Sequence, residues 1–143
     1  MGTVSNLLKT KSNITFSITP GTTVYNALEV MVEKNVSALL VVENEKLVGI
    51  FTERDYARKV ILKGKSSKET LIGEIMTEDL ITVSPDSTID DCMQLMTNRF
   101  IRHLPVVAES NLIGIISIGD VVKYVIEEQK FIIQNMEHYI TGT

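Results

Sequence analysis

Cysteine is almost absent from this chain. Cys92 stands alone, so neither an intramolecular disulfide nor a cysteine cluster for zinc can form. Histidine is nearly as scarce: His103 and His138 lie far apart, without the spacing of metal ligands. Basic residues are not in excess, and a formal charge of −4 argues against nucleic acid as a partner, which needs a basic face. A local basic pocket is still compatible with that total, because a ligand feels nearby charges first. No apolar run approaches the ~18 residues of a helical membrane span. The opening "MGTVSNLLKTKSN" has neither the apolar stretch of a secretory signal nor an Arg-rich transit pattern, and Asn6 stands where a myristoylation signal needs Ser or Thr. A soluble cytoplasmic protein with no membrane partner is the expectation. Also missing are a Gly-x-x-x-x-Gly-Lys phosphate loop and any Ser-His-Asp or Cys-His set. A non-catalytic protein that requires no metal is expected.

What the chain has instead is a repeat. Residues 14–61 overlay residues 79–126 without a gap at a constant offset of 65, the difference between Gly49 and Gly114. Pro20 falls on Pro85, Met31 on Met96, Leu39 on Leu104, Val41–Val42 on Val106–Val107, and Asp55 on Asp120. An ungapped register of this length implies internal duplication.

Each copy reads β-α-β-β-α. Phe16 and Ile18 alternate before a Pro-Gly turn, which is a short strand. Val24, Ala27, Leu28 and Met31 recur at helical spacing. "SALLVVE" and "KLVGIFT" are strand-forming runs split by the turn Asn44–Glu45. Tyr56, Ala57, Val60 and Ile61 mark one face of a helix over 53–62. In the second copy "SPDSTIDD" opens the first helix, with Ser87 and Asp90 as the expected cap. The last helix runs on towards His138, with an apolar face left over for a partner subunit. At 44% hydrophobic residues the chain has material for a sizeable core. One copy of about 48 residues cannot bury a good core alone. The expected solution is two copies packed face to face, with pseudo-two-fold symmetry and a cleft between them.

Two heptads carry the chemistry: "GIFTERD" (49–55) and "GIISIGD" (114–120). A hydroxyl followed three residues later by an acid, Thr52 with Asp55 and Ser117 with Asp120, is a helix-capping pattern. The same spacing also serves a ligand. Free N–H groups at a helix start favour phosphate, and an aspartate in the first turn can accept from a ribose diol. Capping and binding are compatible, and duplication does not separate them. Cys92 aligns with Ala27 on an apolar helix face and reads as a small buried residue.

"GIFTERDYARKV", "IGEIMT", "RHLPVV" and "GIISIGDVV" together resemble the tandem CBS (cystathionine β-synthase) domain pair, in its stand-alone bacterial and plant organellar form. The resemblance implies an α+β fold of two CBS repeats. Domain 1 is expected over 10–62, a linker over 63–79, domain 2 over 80–127 and a helical extension over 128–143. It implies a regulatory module, usually a homodimer, that binds AMP, ADP or ATP, or NAD(H) or S-adenosylmethionine, and signals energy or redox state to an effector protein. On this pattern Asp55 and Asp120 hold ribose hydroxyls while Thr52 and Ser117 hold phosphate. Arg102 and His103 lie where relatives place phosphate contacts, and their aligned partners in the first copy are Ser37 and Ala38. Arg54 and Arg58 flank Asp55, and Lys123 aligns with Arg58, so the two sites should differ in affinity. The residues alone leave Arg102 open as a solvated arginine and His103 as a hydrogen-bonded structural histidine. Two other functions compete: a dimerisation scaffold with no nucleotide, and an enzyme acting on a nucleotide, for which no base, nucleophile or metal set is organised.

Overall fold

The computed structural model describes residues 2–11 and 15–141. In chain order these form α1 (Val4–Leu8), β1 (Ser17–Ile18), α2 (Val24–Lys34), β2 (Ala38–Glu43), β3 (Lys46–Thr52), α3 (Glu53–Asp55), α4 (Ile72–Ile75), α5 (Ile89–Arg99), β4 (His103–Ala108), β5 (Asn111–Ser117) and α6 (Ile118–Thr141). The chain folds as two compact units, residues 14–81 and residues 1–13 with 82–143.

In the unit 14–81, β1 runs parallel to β2 and β2 antiparallel to β3. Thr23 caps α2 by accepting from the Asn26 N–H, and Asn35 closes it in the left-handed region at φ 54°. Asn44 and Glu45 both have positive φ, as a tight hairpin between right-twisted strands demands. Phe51, Leu39, Val24, Val60 and Ile72 are fully buried in one core with Ile18 and Met31.

The second repeat reproduces these details at the offset of 65. Glu109 and Ser110 take the hairpin turn, and the ladder skips a residue after Val106 as it does after Val41. Two expectations are corrected. Thr88, not Ser87, caps α5: its hydroxyl accepts from the Asp91 N–H at 3.0 Å, while Ser87 Oγ accepts from the Ser84 N–H. The first strand shrinks to one parallel bridge, Val83 to Val106.

The helix after β3 also departs from expectation. Past Asp55 it widens into a π-turn over Tyr56–Val60, then tightens to a 3-10 turn over Ile61–Lys63. Here Val60 is buried and Ile61 is exposed. Its counterpart α6 is regular helix.

A second repetition, at an offset of 68, runs through the segments that precede each repeat. Helix α4 lies against the first repeat: Ile72 N–H donates to Thr22 O at 2.8 Å, Gly73 N–H to Pro20 O, and Val24 N–H to Thr70 O. Helix α1 does the same for the second repeat, with Val4 donating to Ser87 O, Ser5 to Pro85 O, and Ile89 to Gly2 O. Val4 and Leu7 correspond to Ile72 and Ile75, and all four are buried. Full burial of such side chains stabilises by roughly 1.5–3 kcal/mol each.

Candidate functional site

Each heptad forms a corner where a strand passes into a helix. Its glycine sits in close approach, tightly at Gly49 and loosely at Gly114. A Cβ on Gly49 would lie 2.6 Å from Met76 Sδ and 3.1 Å from Thr77 O, and one on Gly114 would lie 3.3 Å from Leu8 Cδ2. The segment following α4 pairs with β3 here, through Ile50 N–H to Thr77 O and Thr77 N–H to Ile50 O. Thr77 is thereby placed beside the start of α3.

The capping pattern is present at both corners. Asp55 N–H donates to Thr52 Oγ1 at 3.1 Å, and Thr52 N–H donates to Asp55 Oδ2 at 3.0 Å. Asp120 N–H donates to Ser117 Oγ at 3.1 Å, and Ser117 N–H to Asp120 Oδ2 at 2.8 Å. Glu53 N–H is taken by Ser37 O and Ile118 N–H by Arg102 O, again at corresponding positions.

Beyond the cap the corners differ. Asp55 is closed in: Thr77 Oγ1 donates to its Oδ1 at 2.9 Å, Lys59 Nζ lies 3.2 Å from the same oxygen, and its side chain is 10% exposed. Lys59 also donates to Ile75 O and Thr77 Oγ1. Asp120 is more open, at 27%, and meets Lys11 Nζ at 2.7 Å. Lys11 donates as well to Ile115 O at 2.8 Å. The Lys11 and Ser117 N–H contacts of Asp120 both fall on Oδ2 and leave Oδ1 outside either bond.

Charge at the second corner follows from these contacts. Burial would raise the Asp120 pKa, but the bonds from Lys11 and Ser117 outweigh it and hold the carboxyl below its ordinary range. Burial lowers the His103 pKa, and nearby Arg102 and Lys11 add to this against the opposing pull of Asp120. Burial, with Asp91 beside it, pushes the Cys92 thiol up to about 11, so this cysteine is a packing residue.

Arg102, His103, Ser117 and Asp120 converge. His103 is the strand partner of Ser117, and Arg102 lines an open groove of about 650 Å3 with Ile118, Gly119, Val122, Lys123 and Ile126. At the first corner Thr52 and Asp55 meet, but Arg54 and Arg58 are exposed, and Lys59 is the base that reaches Asp55. A smaller groove of about 560 Å3 lies between Lys59, Lys63, Lys65, Ile75 and Met76. Sequence reasoning passed over Lys59, Thr77 and Lys11. Lys59 was legible as an i,i+4 partner of Asp55; nothing local signals the other two. Among the described residues there is no cluster of His, Cys, Asp and Glu that could hold a metal, and no helix long and apolar enough to cross a membrane.

The CBS domain pattern matches residues 7–62 and 72–127. The chain is 45% identical to the mitochondrial CBS domain-containing protein CBSX3 of Arabidopsis thaliana, over 98% of this chain and 72% of that one. A solved protein with CBS domains from Burkholderia ambifaria MC40-6 shares 48% identity at a TM-score of 0.86, covering 89% of this chain and 96% of its own. The CBS domain pair of protein MJ0100, solved in complex with 5′-methylthioadenosine and S-adenosyl-L-methionine, shares 25% identity at a TM-score of 0.78, with 90% and 98% covered.

Proposed function

The chain belongs to the CBS-domain family, and from that premise we propose that it is a non-catalytic regulatory module that binds an adenosine-containing ligand at its strand-to-helix corners. AMP, ADP and ATP are the first candidates, then NAD(H) and S-adenosylmethionine. The observation that carries this reading is the second corner, where a fixed, ionised Asp120, the Ser117 hydroxyl and the exposed Arg102 lie around one strand end. The acid suits ribose hydroxyls and the cation suits phosphate, which together describe a nucleotide.

The two corners should not be equal. A ligand at Asp55 must displace the Thr77 hydroxyl or share its oxygen, whereas Asp120 has Oδ1 to offer. The second corner is therefore the tighter site, with Arg102 and His103 contributing there. Ligand binding can alter a partner only if two states of the module differ in affinity for it. The output passes to a separate effector protein, or through self-association along α6.

Thermal unfolding with each of AMP, ADP, ATP, NADH and S-adenosylmethionine tests the proposal. A ligand at 100 times its Kd adds about 2.7 kcal/mol of stability. That gain should vanish in Asp120→Ala. No shift with any of the five leaves the scaffold reading, for which the bare apolar stripe of α6 is the favouring observation.

A further inference from the structure

Both repeated aspartates are paired with a lysine, yet the lysines come from unrelated places in the chain. Lys59 belongs to the helical turn after the first heptad, one turn beyond Asp55. Its aligned residue in the second repeat is Tyr124, which has no ammonium to offer. Lys11 supplies the missing charge from the opposite end of the chain, 109 residues from Asp120. Each ammonium is also anchored on a main-chain carbonyl, Ile75 O for Lys59 and Ile115 O for Lys11. The repeat thus preserves the pair although it does not preserve the position that provides it. A contact restored from a second source is hard to assign to chance surface pairing, and it accompanies the one acid that both heptads keep.

We propose that Lys11 is a positioning residue of the second corner's ligand site, fixing the Asp120 carboxylate by one oxygen so that the other is presented to a sugar hydroxyl. This rests on the nucleotide reading given above. Geometry supports a positioning role over a mere surface pair. The two groups are each about a quarter exposed and meet at 2.7 Å, and Lys11 is braced by a second acceptor. A lone exposed pair would be worth little. The contact also ties the segment following α1 to the start of α6 within one unit. Lys11 from that segment and His103 at the start of β4 act on Asp120, and Arg102 before β4 with Lys123 and Glu127 on α6 line the groove beside this corner.

Lys11→Met and Lys11→Arg, each compared with the wild type, test the proposal by two measurements on the full chain. The first follows the Asp120 carboxyl by NMR through an acid titration, with no ligand present. In Lys11→Met the midpoint should rise, since burial remains and its largest opponent is gone; in Lys11→Arg it should stay near the wild-type value. The second is calorimetric titration with AMP and with adenosine, which lacks the phosphate and its own titration. Lys11→Met should bind both about tenfold more weakly. Its loss of adenosine affinity on acidification should begin at higher pH than in the wild type, and Lys11→Arg should recover most of the binding. An unmoved Asp120 midpoint overturns the proposal. So does unchanged or tighter binding by Lys11→Met when the wild type binds, a result that leaves the nucleotide reading intact. Absence of binding by the wild type overturns the nucleotide reading and the positioning role together.

Discussion

The Thr77 hydroxyl donates to Asp55 Oδ1 at 2.9 Å, tying the acid that ends α3 to the segment that follows α4. Asp55 therefore joins two segments of one unit, whereas Asp120 joins the α6 start to Lys11 through a single oxygen. Asp55→Ala removes the acceptor for Thr52 N–H, Thr77 and Lys59 together, in a place 10% exposed. Its unfolding free energy should fall by about 2 kcal/mol, against about 1 kcal/mol for Asp120→Ala. Urea denaturation of both variants checks the order; an equal or reversed loss would show that the closed corner is not the more structural one.

Gly49 has no room for a methyl group. Met76 Sδ is a flexible neighbour that can retreat, but Thr77 O is held by a backbone bond from Ile50. Gly49→Ala should destabilise by about 1–3 kcal/mol as an overpacking substitution. Gly114→Ala meets only the end of Leu8 at 3.3 Å and should cost clearly less. Melting curves of the two variants give the comparison directly.

How far the sequence spoke depended on whether the signal was local. The duplication, the strand and helix order, the hairpin at Asn44–Glu45 and the buried Cys92 were all readable, because period and turn chemistry act within a few residues. The π-turn after Asp55 was not, since the spacing of Tyr56, Ala57, Val60 and Ile61 reads as ordinary helix. The segment expected as a linker over 63–79 contains α4, whose equivalence to α1 was hidden by a different offset and little shared identity. Lys11 could not be found by any spacing rule, because only the folded chain brings it to Asp120. Ser87 and Thr88 are adjacent hydroxyls that compete for the cap, and Thr88 is the one aligned with Thr23, which caps α2.

Acid should weaken the fold in two stages. His103 has a folded pKa below its ordinary 6.5, so the unfolded chain takes up its proton first. The stability it contributes is complete above about 6.5 and is lost as pH falls through its folded value. Asp120 is likewise lowered from 3.8, and its contribution is lost only as pH falls through that still lower folded value. Denaturation midpoints measured from pH 8 to pH 3 should show the early stage in the wild type and not in His103→Gln. A decline of the same size setting in below pH 6.5 in both proteins would assign the early stage to other groups.

Helix α6 exposes Val122, Ile126, Ile133, Met136 and Ile140, whose spacing, with Gln129 between, steps by four and three in alternation. A two-helix coiled coil uses this spacing, and Gln129 would be its one polar position. Lys123, Lys130 and Glu137 each follow a seam residue directly and flank it, so a second copy can pair with these charges left at the rim. A homodimer built on this stripe is the expected state. Ile133 is 56% exposed in the single chain, so Ile133→Glu removes little from the fold. In a dimer the same change puts a carboxylate against its own copy across an apolar seam, where an unpaired charge costs several kcal/mol. Sedimentation velocity should find wild-type dimer and Ile133→Glu monomer with equal melting temperatures at high dilution. A variant that still sediments as a dimer would move the interface off α6.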